Sequence, residues 1–159
     1  MARYFTSDAA VERIALGVLD LTLPRADWTH AAHFAATFWL IRHRPELPLD
    51  ERLPEIIRAY NEATGTPNTN TSGYHETITQ ASLAAARRFV ADQPASRPLY
   101  EIVDQLMGSV LGDPNWLLAY WSRELLFSSE ARRLWTQPDL RPFEPAGWSL
   151  EVDLKRRPA

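Results

Sequence analysis

The chain has 159 residues and a formal net charge of −3, is 45% hydrophobic and 23% charged, and contains no cysteine. At roughly 150 residues per domain it makes one domain, with core enough to fold without a metal, and the missing cysteine excludes disulfide scaffolds, thiol nucleophiles, iron–sulfur clusters and cysteine zinc sites. The net charge argues against a general polyanion binder, and Lys155, the one lysine among 17 basic residues, removes nearly every Schiff-base or Walker-lysine mechanism.

No address or membrane span is legible. Asp8 precedes any long apolar run, so no secretory leader is expected. The longest uncharged stretch, from Trp28 to Ile41, has 14 residues, against the roughly 20 that a bilayer-crossing helix needs. A cytoplasmic location without a membrane partner is the expectation. No basic strip interleaved with aromatics argues for nucleic acid.

The periodicity is helical almost throughout. Ser7 can cap a first helix that carries Val11, Ile14, Ala15, Val18 and Leu19 on one stripe. Asp27 can cap a second, from about Trp28 to Arg42, bounded by Pro45. Asp50 opens a third, with Pro54 near its first turn and Gly65 as its stop. The run from Gly65 to Gly73 is turn chemistry. A fourth helix is expected from about Tyr74 to Asp92, a fifth from Ser96 and Pro98 to near Gly112, a sixth from Asp113 and Pro114, and a short one from Ser128. Pro138, Pro142 and Pro145 make the segment beyond residue 138 irregular, draped over the body. No pair of alternating β-branched runs offers a sheet. The expected fold is therefore all-α: a compact single-domain bundle of five to seven helices over residues 1–143, with a Pro-rich tail over 144–159.

The second helix has no charged residue between Trp28 and Ile41. A helix apolar all round lies at the centre of its domain, yet this one carries His30, His33 and Thr37. At about 100° per residue these three fall within a stripe roughly 60° wide. Each polar group left buried and unpaired would cost roughly 1–3 kcal/mol, so the stripe must meet polar partners. On the fourth helix the same rule puts His75, Thr79 and Ser82 at the inner border and Glu76, Gln80, Arg87 and Arg88 outside. Two imidazoles from one helix and one from another form the donor set of a three-histidine centre for zinc, iron, manganese, copper or nickel, with positions open for water or substrate. His30, His33 and His75 are thus the expected ligands of a divalent transition metal. Purely structural histidines, bridging backbone carbonyls, threonines or each other, are the competing reading. His43, between Arg42 and Arg44 at a helix end, reads as surface or as a partner for the helix dipole.

The loop before His75 carries Asn68, Thr69, Asn70, Thr71, Ser72 and Tyr74, which can orient a ligand or contact a polar substrate. A solvated loop that caps the fourth helix is the alternative. Arg123 and Glu124 are the only charges from Trp116 to Phe127. Glu124 is expected as a general base or further ligand, Arg123 as a fork for a substrate carboxylate, and Tyr74 as a second substrate contact. An ordinary ion pair or a solvated edge is the other account of Arg123 and Glu124. The tryptophans are expected in the core and at helix junctions.

The segments Trp28-Thr29-His30-Ala31-Ala32-His33, Asn61 to Thr69 and Gly73-Tyr74-His75-Glu76-Thr77-Ile78-Thr79, with the run Tyr120 to Ser128, resemble a family of small uncharacterised bacterial all-helical proteins over roughly residues 24–143. That resemblance implies no activity. The three-histidine layout is also loosely similar to the DinB-like metal-binding bundles. The expected function is metal-dependent chemistry on a small polar metabolite, by hydrolysis, elimination or oxygen-dependent oxidation, with the metal polarising a substrate oxygen or supplying hydroxide. The alternative is a non-catalytic helical module that binds a small ligand or a protein partner. Either is compatible with a homodimer.

Overall fold

Residues 3–144 are described in the computed structural model of the chain. Ser7 opens α1 (Asp8–Leu19) as expected: its side chain accepts the Ala10 N–H, and Val11, Ile14, Ala15 and Val18 turn inward. A 3₁₀ turn over Arg25–Asp27 follows. It occupies Asp27, so α2 (His30–His43) is capped instead by Thr29, whose side chain accepts the Ala32 N–H. Every residue from Phe34 to Leu40 is buried, and α2 packs on α1 and on two later helices, α4 (Glu76–Ala91) and α5 (Leu99–Met107). The helix without charges is the central one, because no face of it can be left to water.

Pro54 lies inside α3 (Leu49–Ala63) and has no N–H for the Asp50 carbonyl. Gln80 of α4 supplies the missing donor, its Nε2 reaching Asp50 O at 2.8 Å. The Asp50 carboxylate meets Arg87 at 2.8 Å on an exposed edge, a pair that contributes little by itself. The hydrogen bond that Pro54 removes from α3 thus becomes a tie between α3 and α4.

The expected sixth helix does not form as one piece. Its residues make a 3₁₀ turn over Trp116–Ala119 and then α6 (Arg123–Leu126). The expected fifth helix stops at Met107, short of a separate 3₁₀ turn over Val110–Gly112, and the short helix expected from Ser128 forms as α7 (Ser129–Arg133). Trp116, Tyr120 and Trp121 are all buried and surround Phe143, with ring centroids 5.9, 5.3 and 5.4 Å away. Residues five apart on a helix point about 140° apart, so one straight helix could not bring Trp116 and Trp121 to the same ring. The chain breaks at Ser122, which caps α6 by accepting the Leu125 N–H.

Over residues 134–144 the chain is irregular and lies on the body, as expected for the part of this stretch beyond Pro138. Trp121 Nε1 donates to Thr136 O at 2.8 Å, and Leu140 N to Tyr120 O at 2.9 Å. Trp135 departs from the expected core placement and is exposed. Pro145, Trp148 and the rest of the 145–159 tail lie outside the described residues. Among the described residues there are seven α-helices and no strand, and no helix is long and apolar enough to cross a membrane.

Candidate functional site

The N-termini of α2 and α4 open onto a cavity of about 510 Å³, a volume typical of small-molecule sites. Trp28, Phe34, Leu53, Ile57, Trp116 and Leu117 form its apolar wall. Arg25, His30, His33, Asn61, Ser82 and Arg132 are among its polar lining. No Asp or Glu is among the described residues that line it. His30, His33, His75 and Tyr74 all reach this space; Arg123 and Glu124 do not.

Because Thr29 takes the capping position, His30 and His33 stand inside the first turn of α2 with their rings free to reach outward. His30 Nε2 lies 2.8 Å from Leu111 O. A carbonyl can only accept, so this nitrogen carries the proton. The 3₁₀ turn that presents Leu111 packs so closely on α5 that a Cβ on Gly112 would collide with the Met107 carbonyl.

His33 stacks on Trp28 with ring centroids 3.8 Å apart and planes inclined by 25°. Neither of its ring nitrogens has a hydrogen-bond partner among the described residues. The polar stripe leads one to expect a buried ring, but this one keeps surface open to the cavity. The protein atoms around the ring still desolvate it: that first, then His30 and Arg25, push its pKa down from 6.5 to about 3. At neutral pH it is an uncharged imidazole with one donor and one acceptor nitrogen. Its pKa lies too far below the operating pH for an effective general base. Thr37, the third member of the stripe, donates to the His33 carbonyl of its own helix at 2.8 Å and so consumes no partner from elsewhere.

His75 is placed inside the fourth helix by the sequence pattern, but it is the residue before it, extended at φ −134° and ψ 111°. Its Nδ1 accepts the Ile78 N–H at 3.2 Å, and its Nε2 donates to Leu126 O at 2.7 Å. Both nitrogens of this buried ring are committed, one to capping α4 and one to anchoring α6. Burial holds its pKa below the ordinary imidazole value, against the Leu126 carbonyl, which favours the charged form. The helical-wheel angle shared with α2 does not apply to a residue outside the helix. His75 reaches the cavity as a cap. Among the described residues no group of three His, Asp or Glu is placed to hold a metal ion.

Tyr74 offers the cavity its ring, while its hydroxyl donates to Glu76 Oε1 at 3.0 Å and Arg58 lies 4.3 Å over its face. Burial and the Glu76 carboxylate push its pKa up, so the phenol stays protonated. Arg123 and Glu124 are exposed on α6, the former 5.5 Å from the Phe127 ring centre. This is the solvated edge of the two expected accounts.

Sequence reasoning missed Arg25, Asn61 and Arg132 as cavity residues. They belong to one polar chain. Arg25 Nη1 donates to Asn61 Oδ1 at 3.0 Å, and Asn61 Nδ2 to Asn68 Oδ1 at 3.2 Å. Asn68 Oδ1 also accepts the Tyr74 N–H at 2.9 Å, and Arg132 Nη1 donates to the Gly73 and Tyr74 carbonyls at 2.9 and 3.3 Å. The loop expected to contact a substrate acts here as a frame: Asn68 ties α3 to the start of α4. Gly73 makes this possible. Its φ is +80°, and a Cβ would lie 2.5 Å from Pro67 O and 2.7 Å from Asn68 Oδ1. A polar residue such as Asn61 at a helix end was a usable signal. Arg132, beside Arg133 at the end of a short helix, reads only as a dipole partner.

Comparison with family models, with curated proteins and with solved structures gives no match.

Proposed function

We propose that the protein binds a small organic molecule in this cavity, with Trp28 as the aromatic platform and His33 as the hydrogen-bonding group that meets the ligand. His33 carries the reading: a neutral imidazole, open to a cavity of about 510 Å³ and without a protein partner on either nitrogen. Three neighbouring polar groups are engaged elsewhere: His30 at Leu111, His75 at Ile78 and Leu126, Thr37 at its own helix. The apolar wall adds the area, at about 25 cal/mol per Å² removed from water.

A fragment screen by thermal shift, followed by NMR, tests the proposal. Hits are expected to perturb the Trp28 indole and His33 ring signals. Ser82→Phe, which fills the cavity from α4, is expected to abolish binding in a protein that keeps its helical circular dichroism. His33→Ala is expected to weaken binding by about fivefold or more, the loss of one hydrogen bond. Hits that leave both residues unperturbed and survive Ser82→Phe overturn the reading.

A metal-dependent enzyme acting on a small polar metabolite is the second reading, favoured by the presence of His30, His33 and His75 in the lining of one cavity. It requires His75 to turn a ring nitrogen from its present partner to the metal: Nδ1 from the Ile78 N–H, with Nε2 still able to donate to Leu126 O. About one transition metal per purified chain, lost in a folded His75→Ala variant, would support it, with a coordination position open to water separating it from a structural metal.

A further inference from the structure

We infer that the molecule this cavity takes is an organic anion: an apolar body whose charged group is held by the guanidinium of Arg132, with Arg25 as the second cation of the lining. The inference rests on the cavity being a ligand site and adds the charge of the ligand.

Arg132 is partly buried, and its partners among the described residues are the Gly73 and Tyr74 carbonyls, both met by Nη1. Its Nε and Nη2 make no hydrogen bond there, and no carboxylate pairs with it. Arg25 is exposed, with Asn61 Oδ1 as its partner and no ion pair, and so adds a second positive charge without the cost of burial. A guanidinium withdrawn from water without a counter-ion is costly, and burial pulls the Arg132 pKa below its ordinary value. The fold nevertheless builds a frame for it, with Asn68 and the left-handed Gly73 positioning the carbonyls that hold Nη1.

The chain as a whole carries a net charge of −3, yet the described lining holds two arginines and no Asp or Glu. This space is a positive recess in a negative molecule, and its low-dielectric walls concentrate that field. A cationic ligand would be repelled and a neutral one would leave Arg132 without a counter-charge. An oxyanion answers it, since the free edge of a guanidinium matches a carboxylate or a phosphate in a two-point fork. Neutral His33 can donate to the same anion, and Trp28, Phe34 and Ile57 receive an aromatic or aliphatic body.

The test is calorimetric titration of the full chain with matched acid and amide pairs: indole-3-acetate and its amide, 3-phenylpropionate and its amide, hexanoate and its amide, with phenyl phosphate against phenol. At least one anion is expected to bind about tenfold more tightly than its neutral counterpart and to perturb Trp28 and His33. Its affinity is expected to fall with added salt and to drop about tenfold or more in Arg132→Gln. Because Arg132 also ties two carbonyls of the loop, Arg132→Lys and Arg25→Gln serve as second variants; both are expected to weaken the anion and spare the amide. Preference for the phosphate over the carboxylates identifies the anion type. Equal binding of acids and amides at Trp28 and His33, unmoved by the arginine variants, overturns the anion while the cavity reading stands. If no compound of this series or of the fragment screen binds there, both fall.

Discussion

The N-termini of α2 and α4 face one cavity and use their histidines in opposite ways. At α2 the cap is a threonine, Thr29, so His30 turns to Leu111 and His33 keeps both nitrogens for the cavity. At α4 no Ser, Thr, Asp or Asn stands at the boundary, and His75 does that work itself, with its second nitrogen fastened to Leu126. Two imidazoles at helix starts facing one cavity thus differ in their partners because of the residue that closes each helix. A histidine that caps is a structural element; a histidine one turn inside a capped helix is available for binding.

The largest expected effect comes from the loop that feeds α4. Gly73→Ala forces a left-handed residue to carry a Cβ into the Pro67 carbonyl and is expected to cost about 2–3 kcal/mol in urea unfolding. A cost near zero would mean that the frame around Asn68 is not what holds this helix start. His75→Ala removes the cap and leaves the Ile78 N–H and the Leu126 carbonyl unpaired, an expected loss of about 2 kcal/mol. His75→Asn, which can cap but cannot reach Leu126, should recover part of it. His33→Ala is expected to cost the ligand-free protein less, about 0.5–1.5 kcal/mol for the stacking on Trp28, since no hydrogen bond is lost. Equal urea midpoints for the two alanine variants would erase the distinction between capping and free histidine.

Titration sharpens the same comparison. Both rings have folded-state pKa values below that of an unfolded histidine, His33 near 3 and His75 lowered by burial. Below about pH 6.5 the unfolded chain therefore binds protons that the folded chain does not. Stability is expected to be complete above that pH and to fall as the pH drops from 6.5 toward 3. By NMR, His33 should show no inflection between pH 7 and pH 5; a midpoint near 6.5 would mean that the ring is not held in the environment described. The smallest expected effect is that of a chelator. Dialysis against EDTA should leave the urea midpoint where it was, whereas a drop matching His75→Ala would return His75 to a metal-bound role.

Much of the framework could be read from local pattern. Ser7, Ser128 and the stripe of α1 act as their residue types and spacing suggest, and the charge-free α2 occupies the centre. Errors arose where a neighbour competed for a role. Asp27 went to a 3₁₀ turn and left the cap to Thr29, and the needs of Trp116, Tyr120 and Trp121 around Phe143 broke the sixth helix. Tyr74, expected as a substrate contact, lines the cavity with its ring, but Glu76 takes its hydroxyl. Arg123 and Glu124 interrupt an apolar run on the page and lie on an exposed edge in space, because four residues of α6 are too few to bury both sides.

By itself the sequence determined the helical class, the Ser7 and Ser128 caps and the central helix, since these follow from hydrogen-bonding and burial rules that act within a turn or two. Tertiary structure alone decided which imidazole is free, that Arg25 and Arg132 face the same space, and that no described acid joins them there. Arg132 and Gly73 are 59 residues apart. No periodicity extends that far, and only the packing of α7 against α4, pinned where the buried Thr77 hydroxyl meets Ala131 O at 2.7 Å, brings the guanidinium to the loop that holds it.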